Sequence, residues 1–203
     1  TLRGRRVALR PYARGFSAGE VDRFLSWALD EEVVGLAGGS PLQASPERFR
    51  ELFIQRMPLR NTDREQQFAV LDETGELIGR TGLFGIDAVS RTAELGIMIG
   101  QKERWGSGYG RDAVAALCRY AFEDLGLRRI VLYTFPDNRR AQRCFASVGF
   151  RVVRKLRRLT LEAVGSELEM DLVPARLVLT APTGPYGGQE QGPDGGHDAV
   201  APD

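Results

Sequence analysis

The sequence has few of the residues that build metal sites and disulfide frameworks. Its 203 residues include two cysteines, Cys118 and Cys144, and one histidine, His197, near the C-terminus. Two cysteines in helical apolar patterns form neither a disulfide framework nor a zinc site, so we expect no bound metal. Buried thiols are typical of a reducing compartment, which predicts a cytoplasmic protein. The position of the histidine argues against a histidine base in the core.

Long apolar runs and an excess of one charge are also absent. No stretch of about 18 apolar residues occurs, so we predict no membrane-spanning segment, and the basic N-terminus lacks the apolar region of a signal peptide. Lys and Arg number 28 and Asp and Glu 27, a formal net charge of +1. A general nucleic-acid binder would need a basic excess for its phosphate contacts. We therefore expect neither a membrane nor a nucleic acid as a partner.

The remaining composition predicts one α+β domain, residues 1–173, followed by a flexible Pro- and Gly-rich tail, residues 174–203. Short spacings predict an antiparallel meander, and one helical crossover predicts a parallel strand pair. The predicted elements are a strand, two helices, three strands, a helix, a strand, a helix and two strands, at about Val7–Pro11, Gly19–Leu29, Pro46–Met57, Gln67–Leu71, Leu77–Phe84, Thr92–Ile99, Gly110–Leu125, Arg129–Phe135, Arg139–Val148, Phe150–Leu156 and Leu168–Val173.

A glycine-rich loop is the sharpest chemical feature. Residues 105–110 read Trp-Gly-Ser-Gly-Tyr-Gly and lie directly before a predicted helix. Glycines let the backbone approach a ligand closely, and the free N–H groups of a helix start attract an anion such as a pyrophosphate. The P-loop pattern is absent. A dinucleotide fingerprint fits poorly, because the third glycine comes one residue early and antiparallel strands precede the loop. Asp137 keeps a nicotinamide-binding protein as a third hypothesis.

A second motif follows the next predicted strand. It runs from Asn138 through Ala141 and Phe145 to Gly149 and Phe150. By itself, Asn138 would be an ordinary helix N-cap. Together, however, the two motifs resemble the coenzyme A site of the GCN5-related N-acetyltransferase (GNAT) family, which carries [QR]-x-x-G-x-[GA] followed by N-x-x-A-x-x-x-[YF]-x-x-x-G-F. The resemblance spans about residues 2 to 173. It is greatest to the branch that acetylates ribosomal-protein N-termini, antibiotics and polyamines, in which tryptophan often stands at the position of Trp105.

The resemblance implies a fold, a cofactor and a set of binding residues. The fold would be a mostly antiparallel sheet whose parallel strand pair splays apart, with helices on its faces. Acetyl-CoA would be the co-substrate, with its pantetheine arm between the splayed strands. The implied cofactor-binding residues are Ile97, Met98 and Ile99 on one strand, Trp105, Gly106, Ser107, Gly108, Tyr109, Gly110 and Arg111 at the loop, and Asn138, Ala141 and Phe145 in the second motif.

The chemistry implied is direct attack of a primary amine on acetyl-CoA in a ternary complex. Glu94 matches a position that is acidic in many relatives and is our candidate base, although a solvent-facing strand residue is an equal interpretation. Phe145 stands where many relatives carry a tyrosine that protonates the leaving thiolate. That departure keeps open a CoA-binding sensor or interaction module without catalysis. The acceptor would be a small-molecule amine or a protein N-terminus, and the resemblance favours a homodimer.

Overall fold

One mixed sheet organises the chain. The computed structural model describes residues 1–159 and 164–179. Its strands, whose spatial order is β1-β2-β3-β4-β5-β6-β8-β7, are β1 (Leu2–Arg3), β2 (Ala8–Pro11), β3 (Glu65–Leu71), β4 (Leu77–Asp87), β5 (Thr92–Ile99), β6 (Arg129–Thr134), β7 (Arg151–Leu159) and β8 (Val164–Leu172). Only β5 and β6 pair in parallel; the other neighbours in these ranges are antiparallel. The predicted α+β class and its single parallel pair are confirmed.

Helices cover both faces of the sheet, and each begins at a residue suited to that place. The helices are α1 (Ala18–Leu29), α2 (Glu31–Leu36), α3 (Pro46–Arg56), α4 (Tyr109–Glu123) and α5 (Arg139–Val148). Ser17 and Glu20 form a capping box at α1, and Ser45 caps α3 ahead of a proline. The side chain of Asn138 caps α5. These caps satisfy N–H groups that the helix itself leaves without partners.

Alternation along the strands divides the core into two layers. On β3, Phe68 and Val70 pack with α4 in the larger apolar cluster, whereas Ala69 belongs to a second cluster with α1 and α3. Successive side chains of a strand point to opposite faces, so each strand feeds both layers. The second layer is rich in aromatic rings, among them Phe24 and Phe53 with centroids 4.7 Å apart. The sheet is therefore fixed from both sides, and its strand ends are held in place.

The structure adds one strand and one α-helix to the predicted set and shifts the bounds of other elements. Strand β1 and helix α2 are new. Helix α2 follows α1 after only Asp30, whose carboxylate accepts the N–H groups of Glu32 and Val33 at 3.0 and 3.1 Å. Its six residues are too few for an amphipathic period to stand out from the sequence. Strands β7 and β8 also extend further into their hairpin than predicted.

The segment after β8 packs back onto the domain. Arg176 donates to Asp171 at 2.6 Å, and the N–H of Val178 donates to the carbonyl of Val148 at 3.0 Å. Most of the tail predicted for residues 174–203 lies outside the described residues, and so does His197. In the described part of the chain, every helix is too short or too polar to cross a bilayer.

Candidate functional site

The two parallel strands separate halfway along their length. Their pairing covers Thr92–Glu94 on β5 and Arg129–Val131 on β6. Beyond those three pairs, β5 continues to Ile99 and β6 to Thr134 with no further pairing between them within these described ranges. The outer edges stay bonded, β5 to β4 and β6 to β8. The opening therefore presents strand edges whose backbone groups need another partner.

A cleft of about 550 Å³ fills this opening. Its walls are Leu95–Ile99 of β5, the loop that follows β5, one face of α5 and the end of α2 near Gly38. Sites that bind small molecules and cofactors commonly enclose about 300–1,000 Å³. The cleft is thus large enough for an extended ligand that lies between the strands and reaches the glycine loop.

The backbone of β5 alternates between its neighbour and the cleft. Gly100 N donates to Ile78 O at 2.9 Å, and Gly96 O accepts from the Thr81 hydroxyl at 2.9 Å. Even-numbered residues therefore direct their N–H and C=O groups towards β4, and Met98 is one of them. Odd-numbered residues direct theirs towards the cleft. Of the three predicted backbone partners, Ile97 and Ile99 offer main-chain groups to a ligand, whereas Met98 contributes its side chain to the cleft wall.

The glycine loop lies at the wide end of the cleft in a left-handed conformation. Gly106 has φ 75° and Gly108 has φ 86°, a region that side-chain-bearing residues rarely adopt. A Cβ added to Gly108 would meet no atom within 4 Å, so this backbone borders open space in the cleft. The first turn of α4 begins at Tyr109 and includes Gly110 and Arg111. Its N–H groups and its dipole favour a bound anion.

Two residues of the loop that were predicted to bind the cofactor, Ser107 and Tyr109, instead contact the rest of the protein. The Ser107 carbonyl accepts from Arg6 Nη1 at 2.8 Å. The Tyr109 hydroxyl accepts from Arg6 Nη2 at 2.6 Å and from Arg104 Nη1 at 3.3 Å, and its ring is 2% exposed. Neither side chain lines the cleft. Arg104 is itself fixed by Asp72 at 2.8 Å, so the loop is tied to the β3–β4 turn.

Trp105 connects the end of β5 to α5. Its Nε1 donates to the Ile99 carbonyl at 2.7 Å, so Ile99 keeps only its N–H for a ligand, whereas both main-chain groups of Ile97 face the cleft. The Arg140 guanidinium lies over the indole ring, 3.6 Å from the centroid. Burial lowers the pKa of Arg140 from its ordinary value, partly offset by Glu32, yet a guanidinium remains charged at neutral pH. The partly buried guanidinium of Arg140, beside the glycine loop, is suited to bind a phosphate.

The cleft is also lined by arginines that were not predicted from the sequence. Arg104, Arg140 and Arg143 join the predicted Arg111 on its walls. The signal was present in the arginine-rich first turns of α5, where helical spacing places residues three and four apart on one face. The positive charge of these arginines complements the glycine loop, because both favour phosphate groups.

The second motif lines the opposite wall. Asn138 Oδ1 accepts from Ala141 N at 3.1 Å, and Asn138, Ala141, Cys144 and Phe145 all border the cleft. Burial raises the pKa of Cys144 to about 11, so its thiol stays neutral at neutral pH. Phe145 is only 6% exposed and packs near Phe150, with ring centroids 6.0 Å apart. The structure thus brings the two motifs of the sequence together across one cleft.

The narrow end of the cleft meets a second concavity. This groove of about 260 Å³ lies on the face of β4, β5 and β6 and is lined by Phe84, Gly85, Thr92, Ala93, Glu94, Arg129, Val131 and Tyr133. Only Glu94 and Tyr133 border both the cleft and the groove among the described residues. Glu94 is exposed and occupies the last paired position of β5 before the strands separate. The two spaces therefore meet at one acidic residue and one phenol.

Tyr133 was not predicted from the sequence. Burial raises its pKa above the ordinary 10.0, and the charges of Glu169 and Glu94 raise it further, whereas Arg154 and Arg129 lower it. Its neighbours Leu132 and Thr134 are buried, so Tyr133, like Arg129 and Val131 before it, turns to the open face. Strand alternation is the only signal that could have identified it.

Two of the three acidic residues at positions 30–32 interact with other parts of the protein. Lys102 Nζ lies 2.8 Å from Asp30 and 2.7 Å from Glu32, and Asp30 also caps α2. The carboxylates of Asp30 and Glu32 are therefore already engaged within the protein. Among the described residues, Glu167 is the other carboxylate besides Glu94 that lines the cleft.

Comparisons with known proteins agree with the geometry. A family model of the acetyltransferase (GNAT) domain matches residues 6–151. An N-acetyltransferase 9-like protein of Caenorhabditis briggsae is 26% identical over 163 residues, covering 73% of this chain and 80% of that protein. A spermidine N(1)-acetyltransferase of Vibrio cholerae is 33% identical over 86 residues, which is 42% of this chain and 49% of that protein.

The same fold occurs in a solved structure. The crystal structure of spermidine N-acetyltransferase from Vibrio cholerae, in complex with CoA and spermine, superposes with a TM-score of 0.69. The match covers 84% of this chain and 96% of that chain at 22% sequence identity. At that identity the likeness establishes the shared fold.

Proposed function

Because the chain belongs to the GNAT acetyltransferase family and is an acetyl-CoA-dependent N-acetyltransferase, we propose that it acetylates a primary amine by direct transfer, with both substrates bound at once. The observation that carries the proposal is the meeting of two concavities at Glu94. One has the glycine loop and arginines that suit a coenzyme. The other gives a second substrate its own route to the same carboxylate.

The residues present fit acetyl-CoA. The open backbone at Gly108, where an added Cβ meets nothing within 4 Å, suits a pyrophosphate, with Gly106, Gly110 and Arg111 beside it. Ile97 offers a strand edge to the amide groups of the pantetheine arm. Asn138 uses Oδ1 for its cap, which leaves the side-chain nitrogen as a donor to that arm. Bound there, acetyl-CoA supplies an activated thioester.

The chain's own groups account for positioning and proton removal. The N–H of Ile97 faces the cleft three residues along β5 from Glu94 and is the donor that we assign to the carbonyl oxygen of the acetyl group. Glu94 accepts the proton that the amine loses, directly or through one water. Holding both substrates in contact removes much of the entropic cost of a two-substrate reaction.

The acceptor that we propose is a small-molecule amine or a protein N-terminus. A protonated amine is attracted by Glu94 and Glu167, both on the wall of the cleft, and the groove of about 260 Å³ admits a compact group rather than a folded surface. The Vibrio cholerae relative named for spermidine supports an amine acceptor.

The experiment that tests the proposal is an acceptor screen. Purified protein is incubated with acetyl-CoA and one amine at a time: polyamines, aminoglycosides, amino acids and peptides with varied N-termini. Thiol release and product mass are measured, and initial rates are collected over both substrate concentrations. Intersecting double-reciprocal plots are expected for a ternary complex. Parallel plots would indicate a covalent acetyl-enzyme and contradict direct transfer, and no turnover with any amine would contradict the acceptor class.

We also propose a cytoplasmic homodimer. Cys118 and Cys144 are free thiols, which suits a reducing compartment. Strand β7 ends the sheet and exposes Val152 and Val153 by 54% and 48%, and an edge strand of this kind is a natural pairing surface. Light scattering coupled to size exclusion gives the mass directly. A monomer at micromolar concentration would contradict the dimer.

A further inference from the structure

The cleft raises a question about the leaving group. Direct transfer ends with a thiolate that needs a proton, and Phe145 of α5 has no proton to give. Its ring is 6% exposed and packs near Phe150. A donor from another element would have to lie where the cleft meets the acceptor groove, because the thioester and the amine react there.

We propose that Tyr133 of β6 is the catalytic residue that protonates the departing sulfur. Tyr133 borders both the cleft and the groove, as only Glu94 also does in the described part of the chain. Val131, two residues earlier on the same strand, is the last partner of Glu94. Tyr133 is thus the first β6 residue beyond the separation of the strands that shares the face of Glu94. The inference rests on the proposed function.

Other proton donors on the cleft wall fit less well. Cys144 lies at the wrong end, since a Cβ added to Gly110 of the glycine loop would be 3.6 Å from its sulfur. Thr134 is 8% exposed and, next to Tyr133 on the strand, faces the opposite side of the sheet. Among the described residues that line the cleft, the arginines are too weakly acidic to donate a proton. Tyr133 is 38% exposed, enough to contact a ligand.

The charges around Tyr133 keep its hydroxyl protonated. Burial raises its pKa, and Glu169 of β8 and Glu94 of β5 raise it further; Arg154 of β7 and Arg129 of β6 act in the opposite direction. Glu169 is itself paired with Arg129 at 3.2 Å and Arg154 at 2.7 Å. A phenol holds its proton at neutral pH, and the net upward shift in pKa keeps Tyr133 in that state, although it does not make the phenol a stronger acid.

The proton balance closes within the site. The amine reacts in its neutral form, after releasing one proton to solvent; its nitrogen forms the new bond to the acetyl carbon and then loses a second proton to Glu94 Oε. The carbon–sulfur bond breaks, and the sulfur takes the proton of Tyr133 Oη. The phenolate then recovers a proton from Glu94, so the products are the amide and the free thiol. Both residues return to their starting states without any further reactant.

The test replaces Tyr133 with phenylalanine. Tyr133→Phe removes one hydroxyl from a partly exposed strand residue, and Tyr120→Phe is the matched control, since its hydroxyl donates to Gln66 at 2.8 Å away from the cleft. We expect kcat of Tyr133→Phe to fall by about 100-fold at neutral pH. The KM for acetyl-CoA should stay within twofold, and Tyr120→Phe should retain wild-type kcat.

A binding measurement separates proton donation from mere packing. Calorimetry at pH 9, where the thiol of CoA is largely ionised, compares CoA with desulfo-CoA, which lacks the sulfur. Wild-type protein should prefer CoA by roughly tenfold through a hydrogen bond to the thiolate, and Tyr133→Phe should bind the two equally.

Each measurement can overturn the proposal. Wild-type kcat in Tyr133→Phe refutes the donor. A lowered kcat with the CoA preference intact would mean that Tyr133 acts on the acceptor and not on the sulfur, which also refutes it. Wild-type protein inactive towards every amine would refute the proposed function instead. The preference for CoA over desulfo-CoA would still report whether Tyr133 contacts the sulfur.

Discussion

Replacing Gly108 with alanine tests the phosphate loop more directly than any other change. Gly108 has φ 86°, and an added Cβ meets no protein atom within 4 Å. The methyl group would therefore project into open space on the cleft wall, where we place the pyrophosphate. The protein itself has room for the methyl group, so steric conflict should appear only when the ligand binds.

The magnitude has two separable parts. A left-handed conformation costs a residue with a side chain about 1 kcal/mol of folding free energy after the unfolded-state gain is included, and roughly 2–4 °C in Tm for a chain of this size. Gly126→Ala is the matched control. Gly126 also has positive φ, 64°, and open space around an added Cβ, but it lies beyond α4 and outside the cleft. Both variants should lose similar stability.

Ligand affinity should distinguish the two variants. A hydrogen bond from the loop to a charged phosphate contributes about 1.5–3 kcal/mol, so displacing one should weaken CoA binding by roughly 10- to 150-fold. Calorimetric titration with CoA gives the affinity, and melting with and without CoA gives the stabilisation of the folded state by ligand. A folded Gly108→Ala protein that binds CoA as tightly as Gly126→Ala would refute the assignment of the loop.

Three further predictions concern the base, a buried carboxylate and the end of the domain. Glu94→Gln should lower turnover at neutral pH by about 100- to 10,000-fold and leave the CoA affinity unchanged. In a pH–rate profile the deficit should shrink as pH rises, because the amine then deprotonates unaided. Wild-type turnover would mean that Glu94 is an ordinary strand residue. The Asp72 pKa lies below its usual 3.8 because, although burial alone would raise it, hydrogen bonds from Thr74 and Glu76 and the Arg104 charge outweigh burial. The stability that Asp72 provides is therefore complete above pH 3.8 and is lost as the pH falls below that value. In Asp72→Asn, Tm should therefore decrease less steeply with acidification than in the wild-type protein. An unchanged dependence of Tm on pH in the acid range would contradict this. Truncation after residue 173 removes the ion pair of 2.6 Å between Arg176 and Asp171 and should lower Tm by roughly 2–8 °C. Truncation after residue 179 should preserve both Tm and turnover. Equal Tm values for the two truncated proteins would place the domain boundary at residue 173.

Much of the fold could be predicted because its signals are local. The N-cap Ser45 with proline after it, the period of two in β3 and the crossover through α4 each specify structure within a few residues. Helix α2 escaped prediction because its six residues are set by packing and by the single cap at Asp30. Strand β1 has two residues and exists only because its partner Leu9 lies opposite Leu2.

The coenzyme end of the site was more predictable than the reacting end. Glycines before a helix and an asparagine at a helix start have binding roles that can be recognised from the local sequence, and the structure brings both to one cleft. The direction of each side chain around the loop was not predictable. Tyr109 is buried under Arg6 with the guanidinium 4.1 Å from its ring centroid, a contact with a residue more than one hundred positions away in sequence. The residues of the loop are evident from the sequence, but which of them face a ligand depends on contacts with the segment between β1 and β2, which includes Arg6.

The reacting end depends on where two strands stop pairing, and no local pattern encodes that point. Tyr133 reads as one more aromatic residue in a strand of six, and its significance arises because pairing of β5 and β6 ends at Glu94 and Val131. If pairing continued, Tyr133 would lie beside Gly96 on a closed sheet face and contact no ligand. Phe145 illustrates the converse, since its place in a motif is evident but its ring cannot donate. A proton donor here follows from the separation of the strands, which is a property of the folded sheet.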